Sequence, residues 1–93
     1  MARVVLPGAL RQFSDGASTI DVAVADGASL AELLDALAAD KPALARRIRD
    51  EQGELRRYVN VYIDGEDARR AGGLTVPVPA GAEVLVLPSV AGG

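Results

Sequence analysis

The clearest hydrophobic pattern in the chain predicts one amphipathic helix. Four leucines recur at the i, i+3, i+4 and i+7 positions, which share one face of a helix: Leu30, Leu33, Leu34 and Leu37. Ser29 precedes them and Glu32 follows three residues later, which is the spacing of a capping box at a helix start. The pattern therefore predicts a helix that begins after Ser29 and ends near Asp40, before Pro42.

Apolar and β-branched runs predict strands on both sides of this helix. The predicted strands are residues 3–6, 19–24, 58–63, a short charged segment at 66–69, and 83–87. The first two form a hairpin, whose long loop carries Leu10 and Phe13, and we expect these two side chains to pack back on the domain. Asp64-Gly65 indicates a tight turn before the short charged strand.

A second, shorter helix is predicted over residues 42–52. Pro42 suits the first position of a helix, and Leu44 and Ile48 would face inward. The charged residues of this segment are most simply a solvent-exposed face. A role for its arginines in binding nucleic acid is disfavoured by the acidic balance of the whole chain.

The order of these elements predicts a two-layer α+β domain. One main helix would pack on one face of a mixed sheet of four or five strands, and residues 74–79 would be irregular because Pro77 and Pro79 lack an N–H group. The last strand is expected to pair beside the first, in the middle of the sheet, which is the β-grasp or ubiquitin-like arrangement. We expect residues 1–88 to form this domain and residues 89–93 a flexible C-terminal tail.

The predicted sheet has more apolar positions than one helix can cover. In the last strand Val84 and Val86 share one face, and the opposite face is also apolar. We assign the two valines to the core, and Leu85, Leu87 and Tyr62 to the open face. An exposed apolar patch of this kind usually binds a partner. The alternative is that the long first loop or the proline-containing segment covers the patch.

Composition narrows the chemistry that is possible. The 93 residues include no cysteine and no histidine, which excludes disulfides, a thiolate nucleophile and the commonest general base. Ten basic and thirteen acidic residues give a net charge of −3, which does not favour nucleic acid as a partner. The acidic group Asp64, Glu66 and Asp67 is better explained by a turn than by a metal site. Ser89 has no nearby base, so catalysis by the chain itself is not predicted, and no bound cofactor or metal is expected.

No apolar run approaches the roughly 20 residues that cross a bilayer. The first apolar segment is also far too short to be the core of a signal peptide. We therefore expect a cytoplasmic protein without a membrane partner.

Four motifs carry a resemblance to a known family. They are Tyr58-Val59-Asn60-Val61-Tyr62-Ile63-Asp64-Gly65-Glu66-Asp67, then Gly72-Gly73-Leu74, then Ala80-Gly81-Ala82-Glu83-Val84, and finally Leu87-Pro88-Ser89-Val90-Ala91-Gly92-Gly93. Together with the order of elements, they resemble the ubiquitin-like sulfur carriers of the MoaD/ThiS type. Within that family the chain is most similar to the carriers that serve cysteine biosynthesis.

The resemblance implies that this chain is a protein co-substrate and not an enzyme. In the family, the carboxylate of the terminal glycine, here Gly93 after Gly92, is adenylated with ATP by an E1-like enzyme and converted to a thiocarboxylate. The thiocarboxylate then donates sulfur through an acceptor enzyme such as a cysteine synthase. Two glycines without Cβ atoms suit a narrow channel in a partner. The residues expected to contact the partner are Tyr62, Leu85, Leu87, Val90 and Ala91.

Other functions stay open from the sequence. A ubiquitin-like modifier attached to proteins through Gly93 would begin with the same adenylation, and a plain interaction module would not use the tail at all. Among sulfur carriers the acceptor also differs. Cysteine biosynthesis is favoured, while molybdopterin, the thiazole of thiamin, and thiosugars or other secondary metabolites are alternatives.

Overall fold

The computed structural model describes residues 1–88, which contain seven strands, three α-helices and two 3-10 helices. The strands are β1 (Ala2–Val5), β2 (Thr19–Val22), β3 (Ala28–Ser29), β4 (Val59–Ile63), β5 (Glu66–Asp67), β6 (Pro77–Val78) and β7 (Glu83–Pro88). The helices are α1 (Leu30–Asp40), α2 (Pro42–Ile48) and α3 (Ala68–Ala71), with 3-10 turns at Gly8–Ser14 and Gly73–Thr75. The predicted tail, residues 89–93, lies outside the described residues, and with it the predicted site residues Val90, Ala91, Gly92 and Gly93.

The main sheet has five strands in the order β2-β1-β7-β4-β5. The hairpin β1–β2 is antiparallel, β7 runs parallel to β1, and β4 is antiparallel to both β7 and β5. The last strand thus lies at the centre of a mixed sheet, beside the first. The predicted β-grasp arrangement is confirmed.

Helix α1 begins and ends where the pattern predicts. The Ser29 hydroxyl accepts a hydrogen bond from the Glu32 N–H at 3.1 Å, and the Glu32 carboxylate accepts one from the Ser29 N–H at 3.2 Å. This reciprocal pair is the predicted capping box, and a cap of this kind stabilises a helix by about 1 kcal/mol. All four leucines of the predicted stripe are buried against the sheet.

Helix α2 is shorter than predicted. It begins at Pro42 and buries Leu44 and Ile48 as expected, but it ends at Ile48. The physical reason is the carboxylate of Asp50, which accepts hydrogen bonds from the N–H groups of Gln52 (2.9 Å) and Glu54 (3.0 Å) and so stabilises a turn in place of another helical turn. The prediction of a helix to residue 52 was therefore wrong.

The loop between β1 and β2 contains a 3-10 helix at Gly8–Ser14, which the sequence did not predict. Ser14 is buried, and its hydroxyl lies 3.0 Å from the carbonyl oxygen of Arg11 and 2.7 Å from that of Ala17. Leu10 and Phe13 pack against the core, as expected.

Two segments near the sheet edge also differ from the prediction. The tight turn is present, since Asp64 and Gly65 have φ values of 49° and 87°. The strand after it stops at Asp67, because the Asp67 carboxylate accepts a hydrogen bond from the Arg69 N–H at 2.9 Å and begins α3. Residues 68 and 69 were therefore wrongly predicted to be strand.

The proline-containing segment is more regular than predicted. Val78 and Pro77 in β6 pair with Ala28 and Ser29 in β3, to form a second, two-stranded sheet. The hydrogen bonds that flank this pair are accepted by the carbonyl oxygens of Val76 and Val78, so the missing N–H of the prolines is not needed. The expectation of irregular structure was wrong for these residues.

The core lies between α1, α2 and one face of the main sheet, and it is almost entirely aliphatic. In β4 the three inward side chains Val59, Val61 and Ile63 are buried, as predicted from strand alternation. Within residues 1–88, no helix is long and apolar enough to cross a membrane.

Candidate functional site

The candidate site is the C-terminal end of β7, where the described part of the chain passes into the tail. Pro88 is the last described residue, and it lies opposite Val59 in the antiparallel register with β4. On the other side of β7, the register with β1 ends at Leu85. Beyond Leu85, β7 is therefore held in the sheet by its pairing with β4 alone, up to Pro88.

The start of β4 is held in turn by an arginine from α3. The Arg69 guanidinium donates hydrogen bonds to the carbonyl oxygens of Arg56 at 2.6 Å and Val59 at 2.8 Å. Because Val59 lies opposite Pro88, this contact stabilises the part of β4 that pairs with the last described residue of β7. The sequence pattern could not reveal it, since Arg69 was placed on an edge strand.

The structure brings together the three residues predicted for the open face, which we define as the side of the main sheet opposite α1. Tyr62 in β4 lies directly across from Leu85 in β7, and Leu87 follows two residues later on the same side. Tyr62 and Leu85 are half-buried, and Leu87 is 37% exposed. Their orientation agrees with the prediction, and their role in binding a partner stays a prediction.

A neighbour in β1 extends this apolar group. Val5 lies beside Leu85 in the parallel register and is half-buried on the same face. The face becomes charged further along β1, where Arg3 and Asp21 form an exposed ion pair at 3.5 Å. Val5 was not among the residues predicted for this group. Strand alternation could have revealed it, since Val4 is buried and its neighbour Val5 must point to the opposite face.

Neither predicted cover closes over Leu87. The proline-containing segment pairs with β3, as described above. The long first loop forms one wall of a groove of about 260 Å³ beside Leu87 and does not bury it. The residues that line this groove are Pro7, Ala9, Leu10, Gln12, Phe13, Arg47, Tyr58, Val59, Val86, Leu87 and Pro88. The alternative in which the patch is covered is therefore wrong for Leu87.

The acidic group at the β4–β5 turn has structural roles. The Asp64 carboxylate accepts a hydrogen bond from the Glu83 N–H at 2.9 Å and so joins the turn to the start of β7. The Asp67 carboxylate begins α3. Across residues 1–88, no three side chains of the types that bind metals are grouped together.

These features describe a surface that presents a chain end. The sheet supports β7 as far as Pro88, and apolar side chains that a partner can contact lie beside that point. Leu85 and Leu87 in β7, Tyr62 in β4 and Pro88 therefore lie close together at one end of the sheet.

Comparisons with known proteins agree with this picture. The ThiS family model matches residues 4–93. The sulfur carrier protein CysO of Mycobacterium tuberculosis is 35% identical over 92 residues, which cover 97% of this chain and 96% of that protein. Small archaeal modifier protein 1 of Haloferax volcanii is 37% identical over 78 residues, which cover 84% of this chain and 85% of that protein.

Solved structures show the same fold. The crystal structure of Mycobacterium tuberculosis CysO superposes with a TM-score of 0.86 at 30% identity, covering 97% of this chain and all of that one. A chain of the Amycolatopsis orientalis BexX/CysO complex also gives a TM-score of 0.86, at 32% identity with complete coverage of both chains. The predicted ubiquitin-like β-grasp fold is confirmed.

Proposed function

Because the chain belongs to the ThiS family and is a ubiquitin-like sulfur carrier, we propose that it carries sulfur as a thiocarboxylate on Gly93. The observation that supports this best is the similarity to CysO over nearly the whole length of both proteins. The similarity includes the sequence end, since the family model extends to Gly93.

The chemistry proceeds in two steps on a partner of the E1 type. A chain-terminal carboxylate is ionised at neutral pH, so one of its oxygens attacks the α-phosphorus of ATP, forming an acyl-adenylate and releasing pyrophosphate. Hydrosulfide then attacks the acyl carbon and displaces AMP, which leaves a thiocarboxylate after loss of one proton. The nucleotide is bound by the partner, and this chain supplies the acyl group.

The described domain contributes the placement of the tail. Pairing with β4 keeps β7 in the sheet up to Pro88, and Leu85, Leu87 and Tyr62 offer an apolar contact next to it. We propose that the activating enzyme binds this face. It would then contact Val90 and Ala91, while Gly92 and Gly93 enter its nucleotide site, where their lack of Cβ atoms allows close approach.

The acceptor we favour is the activated precursor of cysteine. The sulfur of the thiocarboxylate is a nucleophile, and in a cysteine synthase it would attack the carbon that has lost the leaving group of an activated serine. Hydrolysis of the resulting acyl bond to Gly93 would then leave the sulfur on the cysteine product and return the terminal carboxylate. The similarity to CysO supports this choice above molybdopterin, thiamin thiazole and thiosugars.

Intact mass spectrometry tests the proposal directly. The chain is incubated with ATP, hydrosulfide and an E1-like enzyme from the same genome. We expect a mass gain equal to replacement of one oxygen by sulfur, located in the C-terminal peptide. The matched control lacks Gly93 and should still bind the enzyme through the sheet while gaining no sulfur. An unchanged mass for the complete chain with an enzyme that forms its adenylate would contradict the proposal.

A second candidate function is attachment to other proteins. The 37% identity to small archaeal modifier protein 1 favours it. Both functions would use the same activated carboxylate, so the first step of the chemistry does not distinguish them. Incubation of the adenylated chain with a lysine-containing host lysate separates them. An isopeptide bond from Gly93 to a lysine would establish the modifier function, and thiocarboxylate consumed only by a small-molecule acceptor would argue against it.

A further inference from the structure

The groove beside Pro88, defined above by its lining residues, combines apolar side chains with a positive charge. It lies between the first loop, helix α2 and the ends of β4 and β7, and it reaches Pro88. Tyr58, which is 49% exposed, and Leu87 both line it. Arg47 is its one charged lining residue within the described part of the chain.

Arg47 is held at the groove by a neighbouring aromatic ring. Its guanidinium carbon lies 4.6 Å from the centroid of the Phe13 ring, which is within the range of a cation–π interaction. None of the ion pairs formed within residues 1–88 involves Arg47. A fixed positive charge at an apolar groove favours a ligand that combines an apolar side chain with a carboxylate.

The charge of the surrounding segments is strongly one-sided. The residues that line the groove fall within four segments of the chain, residues 7–14, 42–48, 55–59 and 84–88. Together they carry five of the ten basic residues and none of the thirteen acidic ones, although the chain as a whole is acidic. The rest of the chain therefore has a net charge of −8.

Two of these five basic side chains form hydrogen bonds that stabilise the local structure. Arg56 donates a hydrogen bond to the carbonyl oxygen of Arg46 at 2.7 Å, and Arg11 approaches that of Leu6 at 3.3 Å. Arg57 is exposed, directly before Tyr58, and makes no ion pair within residues 1–88. Arg47 lines the groove and the exposed Arg57 directly precedes its lining residue Tyr58, so these two cations are available to carboxylates on a bound protein.

We propose that this groove binds an acidic docking segment of a partner protein, with an apolar side chain seated between Leu10, Phe13 and Leu87 and flanking carboxylates paired with Arg47 and Arg57. The apolar lining favours a protein over a nucleic acid, because phosphate backbones are recognised by charge without an apolar cavity. A segment bound here would lie next to Pro88, so a partner that processes Gly93 gains a second contact outside the open face.

The identity of that partner as a C-terminus-processing enzyme rests on the proposed function, whereas binding to the groove does not. We therefore test binding without sulfur chemistry, with the complete chain and four capped hexapeptides. The first has the sequence Glu-Asp-Leu-Phe-Asp-Glu. The other three replace its apolar pair with serines, its acids with the corresponding amides, or its acids with lysines.

Amide and methyl NMR shifts measure each affinity and locate the contact. We expect the acidic apolar peptide to shift signals of Leu10, Phe13, Tyr58 and Leu87, and to bind about ten-fold more tightly than the other three. Arg47→Glu and Arg57→Glu should each weaken it about five-fold or more, and added salt should weaken it as well. Arg70→Glu, on α3, is the matched control and should have no effect.

Several results would overturn the proposal. Equal binding of the serine peptide would reduce the effect to general charge attraction, and equal binding of the lysine peptide would remove the role of the arginines. Groove shifts that depend on protein concentration without peptide would assign the groove to a second copy of the chain. Groove shifts caused by deleting residues 89–93 would assign it to the tail of the chain itself. Arg47→Gln, which keeps a side chain of similar length, tests the charge if Arg47→Glu unfolds.

Discussion

The two sides of β7 carry similar aliphatic side chains in very different environments. Val84 and Val86 are 0% and 1% exposed in the core, whereas Leu85 is half-buried and Leu87 is 37% exposed. Burial of the valines contributes to folding at roughly 25 cal/mol per Å² of apolar area removed from water. The exposed part of Leu87 contributes nothing of this kind until a partner covers it. One strand therefore combines a face that stabilises the fold with the face that we propose to bind a partner.

The largest effect on stability is expected on the inner face. Val86→Ala should lower the free energy of unfolding by roughly 2–3 kcal/mol, because it removes two buried methyl groups and leaves a cavity in the core. Chemical denaturation measures this change. A loss below about 0.5 kcal/mol would show that the inner face of β7 is not closely packed.

The same truncation on the open face should act on binding. Leu87→Ala is expected to change the free energy of unfolding by less than about 1 kcal/mol, since the side chain is only partly buried. It should raise the KM of the activating enzyme for this chain about ten-fold, because the variant lacks an apolar side chain that we propose the enzyme contacts. Kinetics of adenylate formation measure this, and Arg70→Ala, an exposed residue on α3, is the control. An unchanged KM would mean that the enzyme does not use this face.

The smallest effect is expected where the open face becomes charged. Arg3→Ala breaks the ion pair with Asp21, whose side chains are 63% and 56% exposed. Such a pair contributes about 0–0.5 kcal/mol, so thermal unfolding should change little. Thermal unfolding of the unsubstituted chain and of Arg3→Ala at increasing salt concentration tests this explanation, since the small difference in stability should vanish at high ionic strength. A loss of several kcal/mol would make the charged edge as important for folding as the core.

Local sequence signals predicted the elements that depend on neighbouring residues. The leucine stripe and capping box of α1, the Asp64-Gly65 turn and the inward valines of β4 are all present as expected. Each follows from side chains within a few positions of one another. The central place of β7 was also predicted, because the order of elements leaves few ways to pair a late strand.

Predictions failed where a distant or competing polar contact determined the structure. Asp50 ends α2 early, Asp67 begins α3 within a segment read as strand, and the carbonyl oxygens of Val76 and Val78 pair with the start of α1 and the residue before β3. The contact of Arg69 with the start of β4 joins residues ten or more positions apart. Hydrophobic periodicity carries no information about such hydrogen bonds.

The sequence by itself determined which side chains of β7 share a face, since alternation along a strand is a property of the backbone, and the assignment of Val84 and Val86 to the core is confirmed by their burial. It also identified the tail, with Gly92 and Gly93, as the candidate reactive part of a chain that has no cysteine or histidine. Only the tertiary structure decided what surrounds the root of that tail. The meeting of Phe13, Arg47 and Leu87 in one groove depends on packing between segments far apart in the chain, because the folded sheet and not the order of residues sets those distances.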